Sequence, residues 1–284
     1  MLKKRIAYRI ILLVLSLLII PAVPIFIIFL GTNSPEYVIN GTLNMRISEG
    51  LSPSVIYFES LKNLLAFNLG TSTASGLPVV REVAGAFLES SKIIIPSLLI
   101  SLLVGILLLP RIRKSQGNRS YLDWICFVPM VVFSYLSLFL VDKLGFDVTS
   151  NVRYVLAVII LSIYPAYLIY NSFSKRYKEI IVSDFYKYHQ ANGFPAELIL
   201  IKYLPRYFII EYLSIFESLF IYMFGFIFFV ESPLAINGIG RSFVWSIQRY
   251  DYPMIIGFCV FAVIILTAIN VIMDILLLKI DKRR

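Results

Sequence analysis

Apolar runs long enough to cross a bilayer recur along this 284-residue chain. A crossing helix needs about 20 mostly apolar residues, because hydrocarbon offers no partner to an unpaired backbone N–H or C=O. Six runs qualify: Ile6–Leu30, Ile93–Leu109, Leu122–Val141, Tyr154–Phe173, Phe208–Val230 and Met254–Leu278. Charged or turn residues bound each of them. Composition agrees, with 59% of residues apolar and 15% charged, against about 45–50% and about 25% in soluble domains. One soluble core cannot hide that much hydrocarbon, and disorder requires low hydrophobicity. The chain therefore reads as an all-α membrane protein with six transmembrane helices. The first run follows Lys3, Lys4 and Arg5 and could pass for a signal peptide. It exceeds the usual signal core of about 7–15 apolar residues, and no small-x-small cleavage site follows. It is read as a retained helix over residues 1–30.

Basic residues orient the set. With both termini in the cytoplasm, 18 of the 26 Lys and Arg residues fall on the inner side. They lie at 3–9, at 111–119, at 175–206 and after the last run. The net charge of +9 is then explained by a basic face against anionic lipid and needs no nucleic acid. Three connections are too long for simple turns: an extracytoplasmic segment over 31–92, a cytoplasmic one over 174–207 and an external one over 231–253. The stretch 93–284 holds the other five helices as a core.

Two chemistries are ruled out. Cys126 and Cys259 sit in separate apolar runs and His189 is the sole histidine, so no multi-histidine metal site or Cys-x-x-Cys pair can form within the chain. No Gly is followed by Lys, so the phosphate-cradling Gly-x-x-x-x-Gly-Lys-[Ser/Thr] loop is absent. A Ser-His-Asp triad is improbable with one histidine committed to the cytoplasmic segment. No cofactor or metal is expected in this chain.

The cytoplasmic segment carries a pattern of its own. Asp184 can cap a short helix by accepting orphan N–H groups. Gly193 is placed to end it in the left-handed conformation. Pro195 suits the first turn of a second short helix, and Pro205 precedes the next span. On spacing alone this is either a solvated connector or an element that plugs into another protein. It resembles the coupling (EAA) loop of ABC-transporter permeases, whose E-A-A-x-x-x-G pattern reads D-Y-x-x-x-A-x-A-x-G in the oligopeptide/dipeptide branch. Asp184, an aromatic at Phe185, Ala191 and Gly193 match. The triplet itself reads Lys187-Tyr188-His189, and Glu211 stands where many members carry a second proline.

Further matches follow in order. Residues 230–253 are similar to the family's V-E-T-x-x-x-x-P-G-[LI]-G-R…D-Y-P through Glu231, Gly238, Gly240, Arg241, Asp251, Tyr252 and Pro253, with Asn237 in place of proline. The two glycines are expected to turn the chain with positive φ. Asn68-Leu69-Gly70-Thr71-Ser72…Gly76-x-Pro78-Val79 resembles D-L-G-T-S…G-x-P-V, and Asn270-x-x-x-Asp274…Asp281 resembles the family's ending. The chain is identified as similar to the first ("B-type") membrane subunit of peptide/nickel importers, with type I ABC importer permease architecture.

That resemblance implies a second homologous permease, two cytoplasmic ATPases that bind ATP and Mg, and an extracytoplasmic substrate-binding protein. It implies alternating access and import of short peptides, or of nickel chelates or another small solute. Asp184, Phe185, Lys187, Tyr188, His189, Ala191, Gly193 and Phe194 would meet the ATPase. Arg241 and Asp251 would form an outer gate or pin the loop. Glu217, about nine residues into the fifth span, is either a carboxylate on the translocation path or one paired with a neighbouring helix. Glu211 is expected to pair with Arg206 or Lys202. Two rival readings are a regulatory subunit whose transport has decayed and, more remotely, an intramembrane enzyme.

Overall fold

The structure, a computed structural model, describes residues 68–108, 130–143, 150–249 and 251–280, together with 11, 14–16, 18, 19, 58, 61, 62 and 66. Most of the expected first span, much of the 31–92 segment and the start of the third span lie outside the described residues. Among the described residues the regular structure is helical, and extended pairing is limited to one isolated bridge between Thr71 and Pro78. The helices are α1 (Val79–Leu107), α2 (Met130–Lys143), α3 (Ser150–Val182), α4 (Asp184–Ala191), α5 (Ala196–Phe226), α6 (Phe228–Glu231), α7 (Ile239–Gln248) and α8 (Tyr252–Ile280).

Four helical stretches are long and apolar enough to cross a membrane: Val79–Leu107, Asn151–Val182, Lys202–Glu231 and Pro253–Ile280. Met130–Val141 is a shorter apolar helix on the third expected span. The helices overrun the apolar runs that predict them. α1 begins at Val79, not Ile93, because Arg81, Glu82, Glu89 and Lys92 interrupt hydrophobicity without interrupting helix. α5 starts at Ala196 and absorbs the expected second short helix, so Pro205 lies inside it and not ahead of the span. Of the connection expected over 174–207, only Ser183 and the residues 192–195 are non-helical. Pro96, Pro165 and Pro205 each sit inside a long helix. A membrane helix tolerates this where neighbours and hydroxyls re-satisfy the freed carbonyl.

The packing is that of a membrane protein. On α1, Ile94, Ser97, Ser101 and Gly105 are buried, three to four residues apart, while Ile95, Leu99 and Leu103 are exposed. Small residues mark the packed stripe and large ones the outer stripe, since hydrocarbon solvates leucine and close backbone approach rewards serine and glycine. The described residues divide into two compact units. One contains Lys92–Leu234 with the residues from Ile272 onward. There Ser97 Oγ donates to Val158 O at 3.1 Å, joining α1 to α3. Ser134 Oγ bonds Phe229 O at 3.1 Å, joining α2 to α6. α3 and α5 run antiparallel, with Phe173 stacked on Phe208 at 4.4 Å and Tyr164 on Tyr222 at 4.1 Å. The other unit contains the residues up to Ser91 with Ala235–Val271. In it Gly257 of α8 lies against Val79, so close that a Cβ would collide with the valine methyl.

Gly105 is the sharpest test of this packing. A Cβ there would stand 2.6 Å from Ile169 Cγ2 and 3.1 Å from Ile169 Cβ, both atoms of a stiff branched side chain. Gly105→Val is expected to cost about 1–3 kcal/mol and to lower the unfolding midpoint of the detergent-solubilised protein. Gly85→Ala, with nothing within 4 Å of the new methyl, is expected to leave the midpoint unchanged or slightly raised. Equal midpoints for Gly105→Val and wild type would show that the α1–α3 contact is not this tight.

Candidate functional site

The segment expected to be cytoplasmic is built from caps. Ser183, extended at φ −64° and ψ 146°, caps α4, and its Oγ accepts the Tyr186 N–H at 3.3 Å. The cap is therefore one residue earlier than Asp184, which opens the helix and sets its charge against the positive end of the helix dipole. Serine and aspartate are both good caps and stand side by side here, so spacing alone does not choose between them. The other end follows the expectation for Gly193, which adopts φ +81°. The Phe194 N–H reaches His189 O at 3.2 Å and the Gly193 N–H reaches Gln190 O at 3.0 Å, the two bonds of a Schellman stop. Pro195 occupies the cap position of α5 at φ −64° and ψ 138°, just before its first turn.

The faces of α4 then separate. Tyr186 is buried. Phe185 and His189, one turn apart, turn onto α5. Phe185 meets the Tyr203 ring edge-on at 4.9 Å, and a 3.3 Å hydrogen bond joins His189 Nε2 to Tyr203 OH. Phe194 closes the other side of the imidazole, with ring centroids 5.7 Å apart. His189 and Phe185 thus seat the helix; they do not head the outward face. Asp184, Lys187, Tyr188 and Ala191 are exposed and spaced three, one and three apart, which makes a single stripe. Gly193 is exposed beside it, and Tyr188 and Phe194 are 66% and 50% exposed. Tyr203 and Ser183 were not singled out from the sequence. Ser183 left a cap signal there, and Tyr203 left none.

The segment expected to be external also differs from a plain loop. Residues 239–248 form α7. Gly238 caps it at φ −96° and Gly240 lies within it, so neither uses the positive φ expected of it. That conformation falls instead on Ala235, at φ 54°. The Ile239 N–H at the start of α7 donates to Ser90 Oγ on α1 at 2.7 Å. Arg241 donates to Ala235 O at 2.7 Å and to Asn237 Oδ1 at 2.8 Å. Arg241 and Arg249 both lie over Trp245, at 4.7 and 4.8 Å.

Asp251 is the centre of this unit. It is 2% exposed. Its Oδ2 accepts Ser72 Oγ at 2.5 Å and the Ala74 N–H at 3.3 Å. Its Oδ1 accepts the Thr73 N–H and the Met254 N–H, both at 3.3 Å. It therefore caps α8 and clasps the 70–78 loop with the same carboxylate. That loop is shaped by Gly70 and Gly76, each at φ 73°. Two motifs separated by 179 positions in the chain meet here. Of the two roles expected of Asp251, gate or pin, its bonds are those of a pin. Pro253 is buried in the first turn of α8, where its missing N–H costs nothing. Tyr252 begins α8, and its side chain lies outside the described residues.

Three carboxylates are placed apart from these. Glu231 is fully buried, on α6 in the unit that does not hold Asp251. Glu217 is half-buried on α5 and interacts with its surroundings. Glu211 is half-buried on α5. Among the described residues, no group of three or more His, Cys, Asp or Glu comes together to hold a metal ion.

Helices long and apolar enough to cross a membrane, an exposed capped helix between two of them and a loop clasped by a buried carboxylate fit a membrane transport component. Residues 97–284 match the family described as "Binding-protein-dependent transport system inner membrane component", and the chain belongs to that family. Such permeases work in ABC complexes with ATPase and binding-protein partners, so the resemblance read from the four sequence segments holds. Among its relatives is the nickel import system permease protein NikB of Staphylococcus aureus, 24% identical over 99% of this chain and 92% of the relative. The metal-staphylopine import system permease protein CntB of the same species is 23% identical over 79% and 76% of the two chains. The dipeptide transport system permease protein DppB of Bacillus subtilis is 24% identical over 80% and 78%.

The clasp at Asp251 makes a direct prediction. Asp251→Ala strands a hydroxyl and backbone N–H groups and is expected to cost about 2–3 kcal/mol, whereas Ser72→Ala removes the bond to Asp251 and the one its Oγ accepts from the Ser75 N–H and costs about 1–2 kcal/mol. The double variant should cost less than the sum, because both lose the same bond. Unfolding midpoints and proteolysis within 68–78 measure it. Strict additivity would mean that the two side chains do not meet.

Proposed function

We propose that this chain is one of two homologous permeases in an ATP-driven importer of short peptides. Two cytoplasmic ATPases would bind ATP and Mg, and an extracytoplasmic binding protein would deliver the substrate. Both termini face the cytoplasm in this reading. The observation that carries it is the exposed stripe of Asp184, Lys187, Tyr188 and Ala191, ended at Gly193 and flanked by Phe194. A capped helix of eight residues with aromatic rings turned outward suits a cleft on a soluble subunit. Its inner face is already spent on Tyr203. ATP-driven closure of the ATPases would move α4, and α4 would carry α3 and α5 with it, opening the path to one side and then the other.

A second reading of the substrate has support of its own. Two of the relatives named above are nickel and metal-staphylopine permeases, so a metal chelate is the alternative cargo. The binding protein would make the choice. Glu217, half-buried within a crossing helix, is assigned to the path in either case, where a carboxylate would favour a cationic group. Arg241 and the Asp251 clasp would hold the outer end of the path in shape.

Purification of the tagged chain in mild detergent tests the assembly. A second permease, an ATPase and a binding protein should be recovered with it, and the binding protein's ligand identifies the cargo. Tyr188→Asp is expected to reduce the recovered ATPase about tenfold or more, the scale of losing a buried aromatic anchor at an interface. Glu217→Gln should leave ATPase recovery intact and alter uptake. Recovery of the wild-type chain with no ATPase would end the proposal.

A further inference from the structure

A second cluster of charge lies beside the coupling segment and has no part in the role given to α4. A cavity of about 680 Å³ opens between the cytoplasmic-side ends of α3 and α5. Arg176, Glu179 and Ile180 line it from α3, and Lys202, Arg206 and Ile210 line it from α5. The α5 residues recur every four positions, so they share one face and span about 12 Å along the axis. Tyr203 and Tyr207 lie between them. All of these residues belong to one compact unit.

The charges are unbalanced. Arg176 is held, with Nη1 2.8 Å from Glu179 Oε2 and the guanidinium 5.2 Å from the centre of the Tyr207 ring. Among the described residues, Lys202 and Arg206 form no ion pair. Both are exposed. The cavity therefore lines one carboxylate with three cations, which favours an anion.

The cavity is also graded. α5 runs from the cytoplasmic side into the membrane, and its sustained apolar run begins at Phe208. Lys202 and Arg206 thus stand at headgroup level, with Ile210 one turn further in and Ile209 beside it 52% exposed. An ordinary anion would use the cations and leave the apolar floor unfilled. A lipid uses both. The docking stripe of α4 lies on another face: Phe185, which lines this cavity, is not among the stripe residues. An ATPase held on the stripe does not need the cavity.

We propose that this cavity binds the phosphate headgroup of an anionic phospholipid from the cytoplasmic leaflet, with Lys202 and Arg206 on the phosphate, Tyr203 and Tyr207 at the glycerol level and an acyl chain over Ile210. Basic pockets between membrane helices on the cytoplasmic side are where such lipids are held. Arg176 positions the cluster from α3 by its stem and its pair with Glu179. The leaflet rests on the orientation in the proposed function; the chemistry of the cavity does not.

The test is lipid retention by the full chain with its co-purifying subunits. Protein in mild detergent is equilibrated with equal amounts of phosphatidylglycerol and phosphatidylcholine, and the lipid still bound is counted by native mass spectrometry. Wild type should retain phosphatidylglycerol in excess. Lys202→Gln and Arg206→Gln should each reduce that excess about fivefold, and the exchanged pair Lys202→Arg with Arg206→Lys should restore it. Lys178→Gln, exposed on α3 and outside the cavity lining, should leave it unchanged. An equal loss with Lys178→Gln would overturn the site in favour of a diffuse basic surface. Displacement of the lipid by millimolar inorganic phosphate would overturn the lipid in favour of a free anion. Loss of the ATPase with unchanged lipid would assign the cavity to the protein interface. A label that places the termini outside would overturn the leaflet and the proposed orientation together, while retention in detergent, which has no sides, would still decide the cavity.

Discussion

Hydrocarbon leaves no backbone N–H or C=O a partner outside its own helix, and the rest of this structure follows from that constraint. The crossing segments are single long helices, and α3 and α5 run 33 and 31 residues with one interior proline each. The same constraint selects the polar groups that cross between helices. They are mostly serine hydroxyls aimed at carbonyls, as with Ser97 on Val158 and Ser134 on Phe229. A hydroxyl is the smallest group that adds a bond without adding a charge. Where no bond is made, closeness is, and Gly105 lets α1 come against Ile169.

Helix ends are where the constraint relaxes, and they are where the candidate function gathers. α4 exists because two ends meet: Ser183 starts it, and Gly193 stops it within eight residues. Asp251 performs the corresponding task on the external segment. Its carboxylate satisfies the first turn of α8 and at the same time a loop that precedes α1 in the chain. A neutral side chain cannot do both, because four donors converge on two oxygens.

How much of this was legible in the sequence follows from the range of each signal. The apolar runs and the left-handed Gly193 are local signals: among the described residues four of the six runs fall on helices long enough to cross a membrane, one falls on a shorter apolar helix, and Gly193 has the expected positive φ. Helix bounds fall short in a hydropathy reading because hydropathy stops at the first charge, while α1 and α5 include Lys92 and Arg206. Gly238 and Gly240 were misread for a related reason. Gly-x-Gly reads as a turn when the helical continuation at Arg241-Ser-Phe-Val-Trp is ignored. The clasp was half visible: Ser72 and Asp251 each stood in a family-like segment, but nothing local says that positions 72 and 251 touch. The seating of His189 on Tyr203 is of the same long-range kind. A lone histidine beside exposed aromatics looks like part of the surface they form, and only the neighbouring helix shows otherwise.

The seating also bears on how a soluble subunit could move a membrane path. A force on Tyr188 is useful only if α4 does not yield under it. α4 is joined to α5 by the Phe185 and His189 contacts with Tyr203, and the stop at Gly193 leads through Phe194 and Pro195 directly into α5. Pro195 removes one of the two soft backbone torsions at that junction. From there α5 continues without a break past Glu217 to Phe226, about 46 Å at helical rise. The single residue Ser183 separates α4 from α3 on the other side. One short helix is therefore joined to two long ones, to α3 through Ser183 and to α5 through the aromatic seat on Tyr203. In the proposed importer, His189 would contribute to coupling by holding α4 on Tyr203.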